Sequence, residues 1–190
     1  MLKNKYRAAS PGARRFGKRS PAKGGTGSRS EAQFLNTLLR FGRLTQEGTD
    51  VSDLRVLFVD DEMDFLETII KRMQKRRVAA FGVCSGEEAV AWLQQQAADI
   101  VVLDVRMPGM DGIQTLRAIK SAHPLIEVIM LTGHASLEIA REGMQLGAFD
   151  YLMKPIDLDE LLYKLEDAYK KKNLQQQKIK TIEEVIVSRK

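Results

Sequence analysis

Four stretches of this 190-residue sequence carry side chains that could act together. Asp60-Asp61-Glu62 is a run of three acids, Asp104 ends an apolar run, Thr132 lies between Leu131 and Gly133, and Lys154 precedes Pro155. Carboxylates gathered within a few ångströms repel unless a positive charge joins them, and a hard divalent cation with oxygen ligands is the usual solution. Two or three carboxylates plus waters suit Mg²⁺, which keeps part of its hydration shell. A cation, an ammonium and a hydroxyl around one further carboxylate form a cradle for the three equatorial oxygens of a phosphoryl group. The carboxylate facing that cradle can act as a nucleophile and become an aspartyl phosphate. No histidine offers a general base, since His123 precedes a proline and His134 lies near the rim, two residues beyond Thr132.

These residues are far apart in the chain, so secondary structure must bring them together. Apolar runs of strand length fall at 54–59, 78–83, 100–103, 127–131 and 149–153. Helix-length segments lie between and after them, at 63–75, 86–96, 112–122, 136–146 and 157–171. Ser85, Asp111, Ser136 and Asp157 stand where helix N-caps belong. This alternation predicts a doubly wound α/β fold, five parallel strands with helices on both faces. VLFV, IVVL and VIML are apolar throughout, as strands buried on both faces are.

In such a sheet, ligands bind beyond the carboxyl ends of the strands. The acid run, Asp104, Thr132 and Lys154 follow strands one, three, four and five. Singly, each has a plain explanation: acids at a helix start, a turn aspartate, a capping threonine, a solvated loop lysine. Their joint placement at one sheet edge does not.

Over residues 54–170 the sequence resembles the receiver domain of bacterial response regulators. The motifs that carry the likeness are LFVDDE at 57–62, VVLDVRMPGMDG at 101–112, MLTGH at 130–134 and GAFDYLMKP at 147–155. The wording around Asp104 and Tyr151 is most similar to receivers attached to σ54-dependent activators, although no ATPase or DNA-reading motif accompanies it here.

The resemblance implies a flavodoxin-like sheet of order 2-1-3-4-5, with Asp104 as the phosphoacceptor. It implies Mg²⁺ held by Asp61 directly, by Asp60 mostly through water, and by Asp104 and the Arg106 carbonyl as further ligands. Lys154, aimed by a cis bond to Pro155, would contact the phosphoryl group. Thr132 and Tyr151 would form the switch pair, Gly133 would leave room beside the phosphoryl group, and Arg106 and His134 would be the variable rim positions. The chain would then be a signalling domain of the stand-alone type, not a turnover enzyme. Its donor would be a sensor histidine kinase or phosphotransfer protein, and its output a downstream protein or self-association through 136–171.

The net charge of +5 conceals a strong asymmetry. Residues 1–30 hold nine basic and no acidic residues, and eleven of the thirty are Gly, Ser or Pro, which reads as a disordered tail. Residues 31–53 read as a short amphipathic helix and linker, with Ser30 and Gln33 at capping-box spacing and Phe34, Leu35, Leu38, Leu39 and Phe41 on one face. The receiver spans 54–172, and 173–190 is a basic extension. In 158–186, Leu158, Leu161, Leu165 and Ala168 set a heptad-like stripe that Ile179, Ile182 and Ile186 resume, with Lys172 and Gln175 in the seam. Either a continued helix with an association stripe or a frayed basic end fits. The basic ends leave nucleic-acid binding as the alternative function, the less favoured one because no helix-turn-helix or zinc pattern is present. The single cysteine, Cys84, and the lack of a long apolar run or secretory signal fit a cytoplasmic chain.

Overall fold

The computed structural model describes residues 54–133 and 137–188. The expected tail at 1–30, the helix and linker at 31–53, the N-cap Ser136 and the rim residue His134 lie outside the described residues. Five strands, β1 (Arg55–Val59), β2 (Ala79–Val83), β3 (Ile100–Asp104), β4 (Glu127–Thr132) and β5 (Asp150–Met153), alternate with five helices. The helices are α1 (Met63–Lys75), α2 (Gly86–Gln95), α3 (Gly112–Ala122), α4 (Leu137–Gln145) and α5 (Leu158–Val187). All strand pairs are parallel and the order is β2-β1-β3-β4-β5, the doubly wound topology that the sequence implied.

The apolar strand runs are buried on both faces because each face has its own helices. Leu57, Val59, Val101, Leu103, Val128 and Met130 form one core with Ala89, Trp92 and Leu93 of α2 and Leu116 and Ile119 of α3. The alternate residues Val56, Phe58, Val102, Ile129 and Leu131 point the other way and are equally buried. On that side, Leu66, Ile69, Ile70 and Met73 give α1 an apolar stripe at helical spacing. A side chain at Gly82 of β2 would come within 2.7 Å of Ile70, so α1 lies directly on that strand.

Local chemistry sets the helix starts. Ser85 accepts a hydrogen bond from the Glu88 N–H, Asp157 accepts from Asp159 and Glu160, and Asp111 forms a complete capping box with Gln114. The loop between β3 and α3 needs two glycines for different reasons. Gly109 has φ +78°, a left-handed conformation that glycine adopts without strain. A Cβ on Gly112 would lie 2.4 Å from the Asp104 carbonyl oxygen and 2.7 Å from Val105 Cα. Both are backbone atoms that no rotamer change can relieve. Gly112→Ala should therefore cost about 3 kcal/mol or more, read as a lowered denaturant midpoint with an unchanged slope.

Helix α5 is continuous over 30 residues, so the C-terminal stretch is helical as far as Val187. Leu161, Leu162, Leu165 and Ala168 seat it on the sheet, and Lys172 continues that face. Lys172 is buried because its ammonium pairs with Asp99, whose other oxygen accepts the Arg55 N–H at 2.8 Å. Beside it, Lys171 lies 3.1 Å from Glu127, a buried carboxylate that also has Lys120 at 3.6 Å. Nearer its start, α5 is tied to β5 by Lys164 and Asp150. Beyond Lys172 the helix leaves the sheet, and Ile179, Ile182 and Ile186 are 41%, 59% and 55% exposed.

Candidate functional site

Each chemically able residue sits just past, or at, a strand end. Asp60 directly follows β1, with its N–H held by the Val83 carbonyl at 3.2 Å. Asp104 is the last residue of β3 and pairs across to Leu131 of β4. Thr132 closes β4, and its carbonyl accepts the Lys154 N–H at 2.7 Å, which fixes the lysine backbone beside the threonine. The Lys154-Pro155 bond is cis. One ligand oxygen each from Asp60, Asp61 and Asp104 lies within 4.8 Å of the others. The four sequence-predicted positions thus converge on one edge.

Lys154 stands at the centre of this cluster. Its ammonium lies 2.7 Å from Asp60 Oδ2, 3.2 Å from Glu62 Oε1 and 3.4 Å from Asp104 Oδ1. The same ammonium lies 4.8 Å from the centre of the Phe65 ring, a cation–π distance. Asp60 and Asp104 are both buried, whereas Asp61 faces solvent. Asp60 uses Oδ1 to accept the Glu62 N–H at 3.0 Å. Its Oδ2 has the ammonium as ion-pair partner and no hydrogen bond of regular geometry. Sequence reasoning gave Glu62 and Phe65 no role. Glu62 belongs to the acid run, but the sequence assigns it no contact of its own.

The electrostatics show a site short of positive charge. Burial holds the Asp60 carboxyl above its ordinary pKa; Lys154 offsets this only in part, and Glu62 adds to it. Asp104 is likewise raised, chiefly by burial and further by Asp60, against the pull of Lys154. For Lys154, burial works against the ammonium, but Asp60, Asp104 and Glu62 outweigh it and hold its pKa up. Buried hard oxygens, one lacking a regular hydrogen bond, with unmet charge are a donor set that fits a divalent cation.

A stability consequence follows. With folded-state values above the ordinary 3.8, the folded protein binds more protons than the unfolded chain. Stability from these two groups therefore falls as pH rises from near 3.8 through the raised values. In EDTA the thermal midpoint at pH 5 should exceed that at pH 7, and a divalent cation at pH 7 should close the gap. Calorimetry at both pH values checks this; a midpoint higher at pH 7 in EDTA would refute it.

The remaining predicted residues sit around the site in different ways. Thr132 is buried, and Tyr151 is half-buried, packed against the core that includes Met130 of β4. Their strands are neighbours, with Met130 opposite Tyr151 and Thr132 opposite Met153. Gly133 has open space where a side chain would point. Arg106 is exposed and lines a cavity of about 860 Å³ with Pro108, Arg117, Ile139 and Glu142, beside the acid cluster rather than in it.

Comparison with known proteins supports the same reading. The family model for the response regulator receiver domain matches residues 56–166. The DNA-binding transcriptional regulator NtrC of Salmonella typhimurium is 39% identical over 127 residues, covering 64% of this chain and 26% of NtrC. The transcriptional regulatory protein ZraR of Escherichia coli is 40% identical over 119 residues, covering 61% and 26%. The chain thus spans about a quarter of the length of these relatives. A receiver domain structure from Clostridium thermocellum superposes with a TM-score of 0.61 at 31% identity, covering 64% of this chain and 98% of that one. A CheY-like receiver from Methanospirillum hungatei gives 0.62 at 25% identity, covering 64% and 98%. With the fold, the acid cluster and the family match in agreement, this chain belongs to the response regulator receiver family.

Proposed function

We propose that Asp104 accepts a phosphoryl group from a sensor histidine kinase or a phosphotransfer protein and that the chain passes the signal on by phosphorylation-dependent binding. The observation that carries this reading is the buried Asp104 carboxylate 3.4 Å from the Lys154 ammonium, with Asp60 and Asp61 alongside. An Asp104 carboxylate oxygen attacks the phosphorus of a phosphohistidine. An O–P bond forms as the P–N bond breaks, and the bonding pair leaves with the imidazole. Mg²⁺, held by Asp60, Asp61, Asp104 and the Arg106 carbonyl, would neutralise charge on the phosphoryl oxygens. Lys154 turns from the carboxylates to one of those oxygens, and the Thr132 hydroxyl donates to another. Tyr151 follows the threonine, which changes the surface of α4, β5 and the start of α5. This is a self-modifying switch rather than a turnover enzyme, and a cytoplasmic location matches a kinase donor. Among the described residues, no helix is long and apolar enough to cross a membrane.

The C-terminal helix offers direct nucleic-acid binding fewer cations than its composition suggests. Of the seven basic residues in 170–190, Lys171 and Lys172 are already committed to Glu127 and Asp99. Incubation with acetyl phosphate and Mg²⁺ should add one phosphoryl group by intact mass. Equal labelling in EDTA would overturn the reading.

A further inference from the structure

The loop between β3 and α3 carries the Arg106 carbonyl, so whatever fixes that loop bears on the proposed Mg²⁺ site. The fold anchors both of its ends. At the start, the Val105 N–H donates to the Leu131 carbonyl at 2.9 Å, and the Val105 carbonyl accepts the Gly112 N–H at 3.0 Å. At the far end, Asp111 caps α3. Between these anchors the Met107 side chain is buried, but Pro108 has no N–H to donate and Gly109 adds a left-handed turn. Backbone of that kind keeps conformational freedom unless something outside the loop holds it.

Among the described residues, that hold comes from Glu87, in the first turn of α2. Glu87 Oε1 accepts the Met110 N–H at 3.0 Å. The same oxygen would lie 2.9 Å from a Cβ on Gly109, so the carboxylate rests against the bare backbone of the loop. Glu87 is itself firmly placed. Ser85 caps its helix. A Cβ on Gly86 would come within 2.1 Å of Thr115 Oγ1 and 2.9 Å of the Met110 carbonyl oxygen, so α2 starts hard against the loop and α3. Hydrogen bonds from its own N–H, from Met110 and from Ser85 hold the Glu87 carboxyl below its ordinary pKa, so it accepts as a carboxylate at neutral pH.

We propose that Glu87 is a positioning residue for the phosphorylation site. By gripping Gly109 and Met110, it holds the loop in the shape that presents the Arg106 carbonyl to the divalent cation. This role rests on the proposed metal site, but Glu87 itself lies outside the group of carboxylates that can hold the ion. It acts through the loop. A cation that meets a loop already held pays less ordering entropy, and by reciprocity a bound cation tightens the grip of Glu87 on Met110.

Mn²⁺ titration of the full-length chain, with the free ion read by electron paramagnetic resonance, tests this. Glu87→Ala should bind Mn²⁺ about five-fold more weakly than the parent, and hydrogen exchange over 106–111 should quicken while α2 and α3 keep their protection. Glu87→Gln should restore binding to within about two-fold, because its amide oxygen still accepts the Met110 N–H. Both variants remove the charge, but only the alanine removes the acceptor. Glu88→Ala takes an equal charge from the same helical turn, where that carboxylate serves the Cys84 N–H. It should leave Mn²⁺ affinity and loop exchange as in the parent. Equal weakening in Glu87→Gln or in Glu88→Ala would overturn the proposal, as would parental affinity in Glu87→Ala or a parent that binds no Mn²⁺. Metal binding needs no phosphoryl transfer. A parent that binds Mn²⁺ but takes no label from acetyl phosphate would therefore sink Asp104 as phosphoacceptor, while a weakened Glu87→Ala beside it would still uphold Glu87.

Discussion

Asp104→Asn should abolish phosphoryl labelling, by more than about 100-fold against the parent protein, while making the unligated domain more stable. The first effect follows from removing the nucleophilic oxygen at the end of β3, where, among the described residues, the other buried carboxylate of the cluster is Asp60, already bonded to the Glu62 N–H. The second follows from the raised pKa of Asp104, which burial and Asp60 produce together. At pH 7 the folded protein must hold that carboxylate charged in a place that disfavours it. An amide of the same shape relieves this, a gain on the order of 1 kcal/mol, seen as a thermal midpoint several degrees higher in EDTA. Loss of function with gain of stability is the signature of a strained site. Intact mass after acetyl phosphate treatment and calorimetry in EDTA check the two halves independently. A labelled Asp104→Asn protein would remove Asp104 from the mechanism, and a less stable one would mean that its carboxylate is compensated in the unligated state.

Lys154→Ala and Thr132→Ala should separate phosphorylation from its consequences. Among the described residues, Lys154 is the one cation placed among Asp60, Glu62 and Asp104. Without it the cluster loses its counter-charge, and the unligated domain should lose roughly 2 kcal/mol at pH 7, recovered largely by Mg²⁺ or by pH 5. The Lys154 backbone sits on β4 through Thr132, so the ammonium is the link between phosphoryl group and the β4–β5 edge. Lys154→Ala should still take up label in Mg²⁺ yet show no change in hydrogen exchange over 137–153 when beryllofluoride binds. Thr132→Ala removes a hydroxyl that no metal needs and should be labelled at near the parental rate, with a weakened exchange response. If Thr132→Ala abolished labelling while Lys154→Ala responded normally, the two roles would have to be exchanged.

The strands were legible because burial on two faces leaves no ambiguity of period. VLFV, IVVL and VIML are apolar throughout, and each expected strand agrees with the structure at one end and differs by a single residue at the other. Helix starts were legible where a side chain caps them, at Ser85, Asp111 and Asp157. The acid cluster was legible because the topology sends every strand end to one edge. What local pattern could not show are the pairs made across the fold. Glu127 sits in an otherwise apolar strand and is met by Lys171, 44 positions later. Lys172 interrupts a heptad stripe only on paper, since Asp99, 73 positions earlier, makes it a sheet-facing residue. The Glu62 contact with Lys154 likewise spans 92 positions. Such contacts depend on how elements stack, which sequence spacing does not encode.

The ion pairs along α5 also limit how that helix can move. Lys164 holds Asp150, Lys171 holds Glu127 and Lys172 holds Asp99. A slide of one helical turn, about 5.4 Å, would break all three pairs and leave Glu127 with Lys120 and Asp99 with the Arg55 N–H as their remaining partners. Sliding is thereby disfavoured, whereas a small pivot about the Lys171–Lys172 end keeps every pair within reach. Because the rod beyond that pivot is about 22 Å long, a tilt of about 10° would swing its tip by about 4 Å. The pinned helix is a lever arm, with its fulcrum at the edge of the sheet farthest from the phosphorylation site.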